Sequence, residues 1–186
     1  MTLFACTNPA GKQSKGEIFL SEFDTPFGMP DFNKINFDDF KPAFLKGMED
    51  AAEEINAIAE NPEQPTFENT VVALDNSGEL LSRVSRVFGG LRSAESNDEI
   101  RALAVELSPL LSEHSDNIYM NDKLFERIKT IHDNIDNLDL NTEDARLLEV
   151  YYKRFVRSGI MLNEADKNRL REINKDLSAL ISVIIC

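Results

Sequence analysis

From Thr66 to Leu91 the apolar residues return at steps of three, four and seven: Phe67, Val71, Leu74, Leu81, Val84, Phe88 and Leu91. That spacing lays them on one stripe of an α-helix. No stretch of the chain keeps the alternating apolar and polar order of a half-buried strand. A stripe this long is buried only against the stripes of other helices, so the feature commits the chain to helix-on-helix packing. Asn61-Pro62-Glu63-Gln64-Pro65 stops whatever precedes it, and Thr66 is placed to cap the first turn. The spacing predicts a single helix over 66–91, weakened near its end by Gly89-Gly90.

The flanking segments supply the partners. A first helix is predicted over 38–60, with Pro42 in its first turns, where a missing N–H matters least. Its stripe is Phe40, Phe44, Met48, Ala52, Ile55 and Ala59. Ser96-Asn97-Asp98-Glu99 has the order of a capping box and opens a third helix carrying Ile100, Leu103, Leu107, Leu110, Leu111 and Ile118. Pro109 falls inside it and is expected to kink or divide it. Asn121 caps a fourth helix with Leu124, Ile128, Ile131 and Ile135. Thr142 caps a fifth with Leu147, Val150, Tyr151 and Phe155, closed by Ser158-Gly159. Asn163 caps a sixth with Leu170, Ile173, Leu177, Leu180 and Ile181. Short loops between helices favour antiparallel neighbours. The fold class is therefore all-α, an antiparallel bundle of about six helices.

Three regions follow. Residues 1–17 combine Leu3-Phe4-Ala5-Cys6, which looks like the tail of a bacterial lipobox, with a small, polar, tether-like run. Cys6 is the candidate lipidation site. Only five residues precede it, fewer than the basic and apolar regions of a signal peptide need, so either the start is wrongly placed or the match is chance. A true lipobox implies the cell envelope or periplasm of a bacterium, and otherwise the cytoplasm is expected. Residues 18–37 are turn-rich and carry Phe19, Phe23, Phe27, Phe32 and Phe37, which reads as an extended arm pinning phenylalanines onto the body. Residues 38–186 are the helical domain. Its last residues, Ser182-Val183-Ile184-Ile185-Cys186, are apolar with no cap or polar tail, which suggests truncation. The stripe of the final helix is then expected to be uncovered and to drive self-association.

Composition narrows the function. With 20 Lys and Arg against 33 Asp and Glu the formal net charge is −13. Binders of nucleic acid or of anionic membranes need a basic surface, so both are disfavoured. No apolar run approaches the ~20 residues of a spanning helix. Cys6 and Cys186 are the only cysteines, too few for a disulfide framework. His114 and His132 are the only histidines, and neither stands in a His-Glu-x-x-His arrangement, so no metal or catalytic residue is assigned. His114 lies beside Glu113 and Asp116 and is the one weak general-base alternative. His132 borders an apolar stripe and reads as structural. The adjacent acids Glu49-Asp50 and Glu53-Glu54 read as a solvated helix face. Gly89-Gly90 lacks the strand before it and the Gly-Lys-Ser/Thr after it that a phosphate loop requires.

The order of motifs adds a resemblance. Phe27-Gly28-Met29-Pro30-Asp31-Phe32, Lys41-Pro42-Ala43-Phe44 and Pro65-Thr66-Phe67-Glu68-Asn69-Thr70 resemble the amino-terminal part of the thimet oligopeptidase family of zinc metallopeptidases. Within that family they are most like the bacterial peptidyl-dipeptidase and oligopeptidase A group. Ser93 to Glu99, Ser108 to Asp116, Phe155 to Gly159 and Arg169 to Asn174 continue it in order. The resemblance implies a two-lobed, all-helical peptidase in which zinc and a glutamate activate water to hydrolyse short peptides, releasing carboxyl-terminal dipeptides. It carries no zinc ligand or catalytic residue over to this chain, because the family's lie downstream of the matching region. Its implied role is to wall the substrate channel. The alternative is a free-standing helical interaction module without catalysis.

Overall fold

A computed structural model describes residues 15–94 and 97–185. Among them the chain forms no strand, and six long helices carry the fold. They are α1 (Phe40–Ala59), α3 (Glu79–Ala94), α4 (Asp98–Tyr119), α5 (Asp122–Asp133), α6 (Thr142–Arg157) and α7 (Glu164–Ile185), with a short α2 (Ala73–Asp75) between α1 and α3. The α1–α3 and α4–α7 pairs run antiparallel. Phe44 meets Phe88 and Gly47 meets Leu81 where α1 lies on α3. Ser108 and Asp116 of α4 reach Ser178 and Asn174 of α7. Gly47 permits the first pairing, since a Cβ there would stand 2.9 Å from the Leu81 backbone.

The helix expected over 66–91 is broken. Phe67–Val72 is a π-helical turn that runs into α2, the chain then leaves the helix at Asn76-Ser77-Gly78, and α3 starts afresh. Gly78 has φ +72°, a conformation that glycine adopts without a Cβ penalty, and its N–H donates to Glu54 Oε2 at 2.7 Å. The spacing misled because the step from Leu74 to Leu81 is seven residues, which preserves helical phase across a gap. Asn, Ser and Gly in that gap, where a continuous stripe needs an apolar residue, were the contrary signal.

The break divides the core. Phe67, Val71 and Leu74 pack with Ile55, Ile58, Phe125, Ile128, Leu148 and Phe155 in one cluster. Val84, Val87 and Phe88 pack with Phe40, Phe44, Ile100, Leu103 and Leu107 in the other. α1 spans both, its first half in the second cluster and its last turns in the first. Of the arm, Phe19 is fully buried against Phe40, ring centroids 5.3 Å apart, and Phe23 and Phe37 pack around it. Phe27 and Phe32 face solvent instead of the body, and three 3₁₀ turns interrupt the extended course.

Other local expectations meet mixed outcomes. Thr66, Asn121 and Asn163 cap as read: their side-chain oxygens accept from the N–H groups of Asn69, Leu124 and Asp166. α4 is capped by Asn97, which accepts from Ile100 N–H at 2.9 Å, and Ser96 lies outside the described residues. α6 is capped by Asn141 and not by Thr142. The amide oxygen of Asn141 reaches both Glu143 and Asp144 N–H groups, so the cap falls one residue earlier. α4 continues through Pro109 undivided, and α3 continues through Gly89-Gly90 to Ala94. On α1 the buried residues are Ala43, Gly47, Ala51 and Ile58 beside Phe40, Phe44 and Ile55, with Met48, Ala52 and Ala59 only half-buried. The close approach to α3 at Gly47 sets that rotation.

Candidate functional site

The break between α2 and α3 opens a cleft of about 340 Å³ at the seam of the two cores. Its floor is aliphatic, from Ile55, Leu74, Leu81 and Ile118, and its rim carries Asp75, Tyr151 and Arg154. Tyr151 and Arg154 stand three apart on α6 and so share a face. The Tyr151 hydroxyl donates to Asp75 Oδ1 at 2.8 Å. Burial, then the Asp75 carboxylate, pushes the Tyr151 phenol well above its ordinary value, so it stays a donor. The Arg154 guanidinium lies 4.4 Å from the centre of the Tyr119 ring, a cation–π contact that fixes its direction. Among the described residues neither Asp75 nor Arg154 has an ion-pair partner. His114 lines the same cleft, half-buried, and burial holds its imidazole below the usual histidine range.

The His114 general-base alternative is not assembled. Glu113 is exposed, and Asp116 turns away to α7, where its Oδ1 accepts from Asn174 Nδ2 at 2.9 Å. Asp116 borders a second groove, of about 440 Å³, between α4 and α7. Its other oxygen, Oδ2, is buried with no partner among the described residues, and burial raises its carboxyl above the ordinary value. Leu170, Leu177 and Ile181 of the α7 stripe line one wall of this groove. Ile173, Leu177, Leu180 and Ile181 are 45%, 51%, 61% and 44% exposed, so four aliphatic side chains on that stripe stand open.

The His132 ring stacks flat on Tyr152 with centroids 3.8 Å apart. Glu49, Glu53 and Glu54 are exposed and Asp50 is half-buried, as for a solvated face. No group of three or more His, Cys, Asp and Glu among the described residues could hold a metal ion. The zinc that the resemblance implies therefore does not fit the described part of this chain. Cys6 and Cys186 lie outside the described residues. No helix among the described residues is long and apolar enough to cross a membrane.

One residue that the sequence reading passed over organises this region. Arg127 is 7% exposed and donates to Asn61 O at 2.7 Å, Glu63 O at 3.0 Å, Asn69 Oδ1 at 2.9 Å and Thr70 Oγ1 at 3.2 Å. It thereby ties the Asn61–Pro65 loop and the π-helical turn to α5. Its sequence signal was an arginine on the apolar side of α5, next to Ile128. Asp75 and Arg154 were legible only as polar positions, and Tyr151 only as part of the apolar stripe of α6, because their convergence depends on how α6 lies against the break.

No family model matches the chain. Among known proteins it is 40% identical over 164 residues to dipeptidyl carboxypeptidase of Escherichia coli (strain K12), covering 88% of this chain and 24% of that protein. It is 28% identical over 156 residues to oligopeptidase A of Escherichia coli (strain K12), covering 84% of this chain and 23% of that protein. A probable cytosolic oligopeptidase A of Arabidopsis thaliana is 24% identical over 157 residues. The chain thus spans about a quarter of the length of the bacterial relatives it matches. It is a sequence relative of dipeptidyl carboxypeptidase and oligopeptidase A, the group within the thimet oligopeptidase family that its ordered motifs resemble.

Proposed function

We propose that this chain is the amino-terminal helical part of a peptidase resembling dipeptidyl carboxypeptidase, that it walls the channel through which short peptides reach the catalytic centre, and that zinc and the catalytic residues come from the remainder of such a molecule. The observation that carries this reading is the 40% identity over 88% of the chain to about a quarter of that relative. A helical wall suits the role, because it holds its shape without chemistry of its own and excludes folded proteins by bulk.

A chimera tests the reading. The matching segment of the Escherichia coli relative is replaced by residues 18–182 of this chain, and zinc content and dipeptide release from quenched peptides are measured. Retained zinc with release of carboxyl-terminal dipeptides is expected, while the chain alone binds no stoichiometric zinc and cleaves nothing. A soluble, zinc-loaded chimera that no longer acts on short peptides overturns the assignment, as does chelator-sensitive cleavage by the chain alone.

A second reading, an interaction module without catalysis, draws on the open α7 stripe. Burying an aliphatic side chain is worth roughly 1.5–3 kcal/mol, so four in a row are a strong drive towards cover. Purified alone, the chain is expected to form a two-fold dimer through α7 and the adjoining face of α6. Light scattering across a concentration series checks this, with Leu177→Asp and Leu180→Asp expected to give monomers. A monomer throughout, or a dimer indifferent to both substitutions, refutes it.

A further inference from the structure

The cleft at the α2–α3 break has the parts of a small-molecule site that the channel-wall reading does not use. At about 340 Å³ it falls within the range of ligand pockets, with an aliphatic floor and a few oriented polar groups at its rim. Its two charges are unusual for this chain. Acids outnumber bases by 33 to 20, so a guanidinium has carboxylates on offer, yet the described structure leaves Arg154 with an aromatic ring alone. Asp75 likewise takes only the neutral Tyr151 hydroxyl. The two charges are not within ion-pair distance of each other, and each is aligned by an uncharged neighbour. Asp75 holds the Tyr151 hydroxyl and Arg154 lies over the Tyr119 ring, and all four residues line the one cleft.

We propose that this cleft binds a small zwitterion with an apolar side chain, specifically a dipeptide, with its carboxylate on the Arg154 guanidinium, its ammonium on the Asp75 carboxylate and its side chain on the Ile55–Leu81 floor. A simple anion would meet Asp75, and a simple cation would meet Arg154. A molecule carrying both charges is repelled by neither. The planar guanidinium suits a carboxylate, which it can engage with two parallel N–H donors. The half-buried His114 is neutral near pH 7 and adds no competing charge. Free amino acids share this chemistry. The choice of a dipeptide rests on the peptidase reading above, since dipeptides are the size that reading releases.

The test is a titration of the full ¹⁵N-labelled chain with leucyl-leucine, followed by amide chemical shifts. N-acetylated, carboxyl-amidated and free-leucine ligands form the other arms. Saturable shifts are expected around Asp75 to Ser82, His114 to Ile118 and Tyr151 to Arg154. Arg154→Gln and Asp75→Asn should each weaken binding at least about tenfold, the ratio that 1.4 kcal/mol sets. Amidation should cost the parent chain affinity but leave the Arg154→Gln variant indifferent. Both side chains are solvent-exposed, and a dispersed spectrum of each variant, with Arg154→Lys as the milder change, shows that the fold is kept. No saturable shifts in the folded parent, equal binding by the blocked dipeptides, or indifference to both substitutions overturns the proposal. Preference for free leucine over the dipeptide overturns the dipeptide assignment. A chimera that hydrolyses peptides beside a chain that ignores dipeptides overturns this site and leaves the channel-wall reading standing.

Discussion

Replacing Arg127 by methionine removes the charge and keeps much of the side-chain length, so it isolates the four hydrogen bonds from packing. The guanidinium serves Asn61 O, Glu63 O, Asn69 Oδ1 and Thr70 Oγ1. Hydrogen bonds to a charged donor are worth about 1.5–3 kcal/mol each, and an acceptor left buried and unsatisfied costs about 1–3 kcal/mol. The full sum does not apply. Glu63 is exposed and Asn61 half-buried, so water takes over those two carbonyls. Asn69 Oδ1 keeps Thr66 N–H and the Thr70 hydroxyl as donors. What remains is the anchoring of the loop and the burial of Thr70, which has no exposed surface. A loss of about 2–4 kcal/mol follows, near the lower end of what breaking a buried charged network costs. For a chain of this size that lowers Tm by about 5–15 °C. Urea denaturation gives the free energy directly, provided the slope with denaturant is unchanged. Arg127→Lys should recover little, because one ammonium cannot span acceptors on both the loop and the π-helical turn. A loss below ~0.5 kcal/mol, the scatter of ordinary surface changes, or full rescue by lysine, refutes the claim that this fork holds the region together.

Three further outcomes are expected. Gly159→Ala should destabilise by about 1–3 kcal/mol in the same assay, the usual cost of overpacking, because φ is +89° and the new Cβ would lie 2.7 Å from Leu170 Cδ2. Asp116→Asn should stabilise the chain at neutral pH and leave it little changed in acid. Burial raises the native carboxyl pKa above its unfolded value, so stability is fullest below the unfolded pKa and falls as pH rises through the native one. Paired pH–stability curves read this, and a variant less stable than its parent at pH 7 refutes it. With a lipoprotein signal segment fused upstream in a bacterial host, the parent chain should partition into detergent carrying acyl chains and Cys6→Ser should not. Equal partition without acylation, by mass spectrometry, makes Cys6 an ordinary thiol.

The sequence by itself determined the helical class, most helix limits and the caps at Thr66, Asn121 and Asn163. These depend on spacing and on side chains reaching backbone two or three residues away, and local chemistry does not wait for tertiary partners. The ordered motifs also pointed to the peptidase relatives. Tertiary structure alone decided which stripe positions are buried, as at Ala51 in place of Ala52, because Gly47 sets how α1 rolls on α3. It decided that the central helix breaks at Gly78, since phase alone cannot tell one helix from two whose stripe residues, Leu74 and Leu81, stand seven apart. Arg127, Asp75 and Arg154 gained their roles there too. Their partners lie 57 to 76 residues away in sequence or on a neighbouring helix, and a spacing pattern registers none of that.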